Sequence, residues 1–168
     1  MNADTGLPLP QRYWAILCVA LGITLAVLDG AIANVALPTI ARDLHASDAA
    51  SIWIVNAYQL AVTITLLPLA SLGERIGYRR IYVAGLALFT AASLGCALAG
   101  SLPMLAVMRV IQGFGAAGIM SVNAALVRMI YPSSMLGRGL SINAMVVALS
   151  SAIGPTVASA ILSFAPWP

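Results

Sequence analysis

The chain has 168 residues, of which 61% are hydrophobic and 8% charged, and its mean hydropathy is +0.99. A soluble domain carries about 25% charged residues, so a single water-soluble core is excluded and the bilayer is the natural solvent. The net charge of +3 comes from eight arginines scattered between apolar runs, with no lysine and no basic stripe interleaved with aromatics, which argues against a nucleic-acid partner.

A membrane crossing needs about 20 apolar residues for a hydrocarbon core of roughly 30 Å. In lipid an open-ended segment must be helical, because only a helix satisfies its own backbone hydrogen bonds. The apolar runs predict an all-α membrane protein with an N-terminal tail over 1–13 and five spans near 14–36, 51–70, 81–100, 103–127 and 139–165. The first run is too long for a signal peptide and lacks a small-residue cleavage pattern, so it reads as a retained span. Between the spans, "LPTIARDLHASD" (37–48) reads as a polar loop started by Pro38, and "GERIGYRR" (73–80) as a charged loop. "GSLP" (100–103) reads as a tight turn and "RMIYPSSMLGR" (128–138) as a Pro/Ser loop. A cytoplasmic N-terminus gathers Arg12, Arg75, Arg79, Arg80, Arg128 and Arg138 on the inner side and leaves Arg42 outside, as the positive-inside rule requires. Tyr13 and Trp14 fall where an interfacial aromatic belt belongs, and His45 reads as a solvated loop residue. Cys18 and Cys96 fall at opposite depths, which excludes a disulfide and leaves two small buried hydrophobes. The chain stops at "SFAPWP", with neither a charged tail nor a loop, as expected of a piece of something longer.

Two ionisable residues lie well inside spans, Asp29 in the first and Arg109 in the fourth. A charge at the bilayer centre costs a few kcal/mol or more, so such residues face a cavity or one another and are functional by default. Counted from the expected outer ends, both sit about 10 Å deep, which permits a pair. Gly22, Ala26, Asp29, Ala33 and Ala36 share one stripe of the first span, where small side chains leave room for water, a ligand or a helix. Arg109, Gln112, Ala116, Met120 and Asn123 form a comparable stripe on the fourth, and Asn56, Tyr58 and Gln59 read as a polar patch on the second. Trp53 and Tyr58 could offer a π-face to a cation, although Trp53, near the outer end of its span, reads more readily as an ordinary packing or interface residue. In the fifth span Gly154 and Pro155 predict a bend, and Ser150, Gly154 and Ala158 a close helix contact. The pair could also serve only as a structural staple.

"LDGAIANVALP" (28–38), "LGERIGYRR" (72–80), "RVIQGFGAAG" (109–118) and "SSAIGPTVAS" (150–159) together resemble four ordered motifs of the major facilitator superfamily. They are most similar to its drug:proton antiporter branch with 14 spans, and the resemblance covers nearly the whole chain. It implies the N-terminal helix bundle of such a transporter, with the first motif represented by Asp29, Asn34 and Pro38. The loop motif is represented by Ala70, Leu72, Glu74, Arg75, Gly77, Tyr78 and Arg79, the fourth-span motif by Arg109, Gln112, Gly113, Gly115, Ala116 and Ala117, and the fifth by Gly154 and Pro155. Glu74 stands where the family usually has Asp, Tyr78 where it has a basic residue, and Ala158 and Ser159 where it often has two glycines.

The resemblance implies proton and substrate binding by Asp29, Arg109, Gln112, Asn34, Tyr58 and Asn123, and cytoplasmic gating by Glu74, Arg75, Gly77 and Arg79. It also implies a bend or packing role for Gly154, Pro155 and Gly113. The expected activity is proton-coupled export of lipophilic, cationic drugs or antiseptics from a bacterial inner membrane, by rocking of helix bundles about a midplane site. Expected partners are membrane lipid, substrate, protons and the remaining spans, with no cofactor, metal or nucleic acid. The alternative expectation is a non-transporting membrane protein, a truncated remnant or an assembly partner, because a superfamily half has six helices and five are read here. No His/Cys/carboxylate cluster or phosphate loop points to an enzyme, and the glycines of "GFGAAG" fall within a span as packing residues.

Overall fold

The computed structural model describes residues 6–43 and 47–164; His45 and the closing "APWP" lie outside them. Five long helices appear among the described residues: α1 (Leu9–Asp43), α2 (Asp48–Ile76), α3 (Tyr78–Ala97), α4 (Leu102–Ile130) and α5 (Leu136–Phe164). Each is long and apolar enough to cross a membrane. Leu21, Ile64, Leu67, Leu94 and Met145 are among many large apolar side chains left exposed, the surface expected where lipid replaces water.

The helices overrun the expected spans because hydropathy marks where lipid ends, whereas a helix ends where its backbone is capped. α1 begins inside the expected tail and passes through Pro38 to Asp43, so most of the expected outer loop is helix. Arg42 supports this last turn by donating to the Pro38 carbonyl (3.3 Å). The expected charged loop 73–80 shrinks to one residue. Glu74 and Arg75 belong to the last turn of α2, Arg79 to the first of α3, and Gly77 alone joins them at φ +104°. A β-carbon is disfavoured at that φ, which explains glycine at this reversal. Between α4 and α5, a short 3₁₀ turn over Ser133–Met135 completes the connection. The chain before α1 is tied to this end of the bundle: the Leu7 amide donates to the Ile130 carbonyl, and Arg12 donates to Leu7 O (2.9 and 3.1 Å) while its guanidinium lies over Tyr131.

α4 is the most buried helix and packs chiefly against α2 and α3, whereas α1 pairs mainly with α5. Helices in lipid gain little from hydrophobic association, so backbone approach through small residues has to bring them together. The α3–α4 contact shows how. A β-carbon on Gly115 would fall 2.7 Å from the Phe89 Cα and 2.8 Å from the Gly85 carbonyl oxygen. Gly113 does the same toward α2, where the added carbon would meet the Ala61 side chain and the Tyr58 carbonyl.

On the other side, Ser150, Gly154 and Ala158 are all buried, and Gly154 faces Leu28 and Ala31 of α1, the close contact expected of that stripe. Pro155 is exposed, and α5 continues through it without a break. Polar links cross between helices at Tyr82 Oη to Cys18 O (2.8 Å), Ser150 to Thr24 (3.2 Å) and Asn123 to Asn143 (3.1 Å). Intramembrane hydrogen bonds average about 0.6 kcal/mol, so these links orient helices that packing holds together.

Gly115→Leu is expected to destabilise the bundle by at least about 1–3 kcal/mol through overpacking. Gly30→Ala, whose β-carbon meets nothing within 4 Å, should leave stability unchanged. Denaturant unfolding in mixed micelles checks both.

Candidate functional site

Asp29 and Arg109 meet. Arg109 Nη1 lies 2.6 Å from Asp29 Oδ2, joining the middle of α1 to α4. The Arg109 side chain is 5% exposed and that of Asp29 24%, so the carboxylate is the member that looks out of the cluster. Gln112, one helical turn beyond Arg109, bridges the two charges: its Oε1 accepts from Arg109 Nη1 (2.6 Å) and its Nε2 donates to Asp29 Oδ1 (2.8 Å). Both carboxylate oxygens are therefore engaged, one by a cation and one by a neutral amide. The Tyr58 ring stacks on Arg109, with the guanidinium carbon 4.3 Å from its centroid. Its hydroxyl reaches the Ala26 carbonyl of α1 at 3.5 Å. The π-face expected to meet a substrate cation is thus occupied by Arg109.

Two α3 residues complete the cluster and were not read as site residues from the sequence. Ser93 Oγ accepts from Gln112 Nε2 (2.8 Å), and the Cys96 thiol lies 3.6 Å from Gln112 Oε1. The only sequence sign was a serine and a cysteine three residues apart in a span with few other polar groups. Asp29, Ser93, Cys96, Arg109 and Gln112 line a cavity of about 150 Å³ together with apolar residues such as Ile54 and Leu105. At about 30 Å³ per water, that volume suits a few water molecules; drug-sized pockets begin near 300 Å³.

Other candidates lie elsewhere. Asn34 is exposed and donates to the Gly30 carbonyl of its own helix (2.8 Å). Asn123 is buried but pairs with Asn143, eleven residues and about 16 Å along α4 from Gln112. Met120 is 39% exposed, so the expected α4 stripe breaks there. The expected α2 patch also divides. Tyr58 turns inward, while Asn56 and Gln59 are exposed and line a separate outward hollow with Trp53. Glu74, Arg75, Gly77 and Arg79 are exposed at the α2–α3 turn and take no part in the cluster. Gly113 and Gly154 serve helix contacts rather than the cluster. Cys18 and Cys96 are both free thiols, but only Cys96 is buried; Cys18 is exposed, contrary to the expected burial of both.

Residues 19–168, nearly all of the chain and every residue of the cluster, match the profile of the Major Facilitator Superfamily. The chain belongs to the major facilitator superfamily. It is 65% identical over 167 residues to "Uncharacterized transporter YebQ" of Escherichia coli (strain K12), covering 99% of this chain and 36% of that protein. It is 32% identical over 158 residues to "Riboflavin transporter RibZ" of Clostridioides difficile (strain 630), covering 94% and 35%. It is 35% identical over 157 residues to the "Tetracenomycin C resistance and export protein" of Streptomyces glaucescens, covering 93% and 29%. The chain thus spans about a third of the length of these relatives. With its five apolar helices, this superfamily member is a multi-pass bacterial membrane protein.

Removing one member of a buried pair strands the other charge, which typically costs 3–5 kcal/mol. Arg109→Gln is accordingly expected to destabilise the bundle by about 3–5 kcal/mol. Adding Asp29→Asn should recover a large part of that loss, as read in a double-mutant cycle of detergent unfolding.

Proposed function

We propose that this chain is the N-terminal part of a proton-coupled multidrug efflux transporter that exports lipophilic, cationic compounds. The observation that supports the reading is the Asp29–Arg109–Gln112 cluster, a charged carboxylate inside a membrane span that faces a small, mostly apolar cavity. The pair is neutral overall, so it can persist in lipid, yet its carboxylate can still take up a proton while the guanidinium keeps its charge. A proton arriving on Asp29 cancels the carboxylate charge and releases Arg109 from its strongest attraction. A cation arriving beside Asp29 competes for the same oxygens. Proton and cationic substrate therefore exclude one another, which is the requirement for exchange.

The cavity admits water, and hence protons, more readily than a drug. The substrate-sized part of the site belongs to the interface with further spans, in keeping with relatives about three times as long. The N-terminus faces the cytoplasm in this reading, and Glu74, Arg75, Gly77 and Arg79 form the cytoplasmic gating turn. A relative named for resistance and export supports the outward direction.

In the full-length parent, Asp29→Asn should abolish substrate-driven proton movement in inverted vesicles, to below about a tenth of wild type, while leaving membrane insertion intact. Unchanged proton flux in that variant removes Asp29 from the mechanism. Resistance profiling should show protection against lipophilic cations; protection confined to neutral or anionic compounds overturns the substrate class.

A further inference from the structure

We propose that a groove between α2 and α3 binds one anionic phospholipid, with an acyl chain in the groove and the phosphate held by Arg75 and Arg80. The inference needs only that the chain lies in a membrane, and does not depend on what it transports. α2 and α3 both pack closely on α4 but touch each other far less, so they stand apart over it. The space between them is a groove of about 360 Å³. Part of its floor is the contact of Gly85 with Gly118, where a β-carbon on either residue would fall 2.9 Å from the Cα of the other. Pro68, Ala84, Leu88 and Phe114 of its walls are exposed, so the groove opens outward.

The walls suit a hydrocarbon chain. Thr65 is the one polar side chain among them, and its hydroxyl donates to the Ala61 carbonyl of its own helix (2.6 Å). A ligand that binds through polar groups meets no free partner there, whereas an acyl chain needs none. The groove also turns away from the charged cluster. At 3.6 residues per turn, Phe114 and Gly118 lie on the side of α4 opposite Arg109, Gln112 and Asn123. Its mouth therefore joins the apolar outer surface rather than the cavity beside Asp29.

Charge at one end of the groove selects the headgroup. Arg80 precedes Ala84 by four residues and Arg75 follows Pro68 by seven, so each lies along the groove's edge on its own helix, beside the Gly77 turn. Leu88 lies eight residues, about 12 Å, beyond Arg80, which sets a phosphate at the helix ends and its acyl chain within the span. Both arginines are exposed, and among the described residues neither has a hydrogen bond or an ion pair. Glu74, the carboxylate of this turn, comes nine residues after Thr65 and so falls on the far face of α2, away from the groove. Arg79, nine residues before Leu88, falls likewise on the far face of α3. Two unpaired guanidiniums over an apolar slot complement a phosphate that carries acyl chains, and basic pockets between membrane helices bind such headgroups. A zwitterionic lipid brings a cation of its own to the same place and gains less.

The test is native mass spectrometry of the full-length parent in detergent, titrated with phosphatidylglycerol or with phosphatidylcholine of the same chains. At about fivefold for each arginine, the wild type should hold phosphatidylglycerol about 25-fold more tightly. Arg80→Gln should lower that affinity about fivefold and the Arg75→Gln, Arg80→Gln double variant about 25-fold, with little change for phosphatidylcholine. Arg79→Gln removes the same charge from the far face and should bind as wild type. Ala84→Trp, at an exposed position, fills the groove and should weaken both lipids without altering charge; Ala84→Leu covers the case in which tryptophan disturbs folding. Wild-type affinity in the double variant, or in both Ala84 variants, overturns the proposal. An equal loss in Arg79→Gln also overturns it, because the attraction is then diffuse. So does a wild type without preference between the lipids; cross-linking from Ala84→Cys to a later span of the parent then identifies that span as the occupant.

Discussion

A carboxylate cannot remain charged in the apolar interior of a membrane without a partner, and the arrangement around Asp29 follows from that constraint. Arg109 supplies the opposite charge, but a bare ion pair would still leave one carboxylate oxygen unserved. Gln112 serves it without adding charge, and also accepts from Arg109, so three side chains close into a neutral unit. Tyr58 covers the guanidinium with its ring, which compensates a cation that is almost wholly withdrawn from solvent. Burial of α4 provides the low-dielectric setting in which these contacts are strong. Partial exposure of Asp29 leaves one side of the unit open to the cavity.

The cluster also lies at a mechanical seam. α2, α3 and α4 form one closely packed group, held by backbone approach at Gly113 and Gly115, whereas α1 and α5 form a second through the Ser150, Gly154 and Ala158 stripe. Contacts between the groups are sparser, and the strongest polar ones run from Asp29 to Arg109 and Gln112. A change of charge at Asp29 therefore acts where the bundle is least tightly packed. In the α3–α4 contact backbone meets backbone at Gly85, Gly115 and Gly118, with no side chain to yield, whereas Gly154 of α5 packs on the Ala31 and Leu28 side chains.

Much of the fold was legible along the chain. Five apolar runs predicted five helices, since in lipid hydropathy and the need for backbone hydrogen bonds leave no other element available. The connections were less legible. Pro38 suggested a loop, but α1 runs through it, because one missing donor does not end a helix whose neighbouring turns remain bonded. Eight residues with four charges looked like a loop, yet Gly77 at positive φ makes the reversal alone. At the site, Asp29, Arg109 and Gln112 stood out because polar groups in an apolar run are costly. Ser93 and Cys96 did not, being small residues unremarkable in a helix. Asn34, Asn56 and Gln59 are as polar, but they lie exposed, away from this cluster.

The amino-acid sequence by itself determined the solvent, the number of crossings, the superfamily and the presence of one acidic and one basic side chain within the spans. Those properties depend on composition and short-range pattern, which any window of the chain contains. Tertiary structure alone decided that Ser93 and Cys96 of α3 complete the amide's hydrogen bonds, and that Tyr58 faces Arg109 rather than open space. Rotation of each helix about its own axis sets these contacts. That rotation is chosen by the packing of small residues against neighbouring backbones, a property of helix pairs that no single span carries.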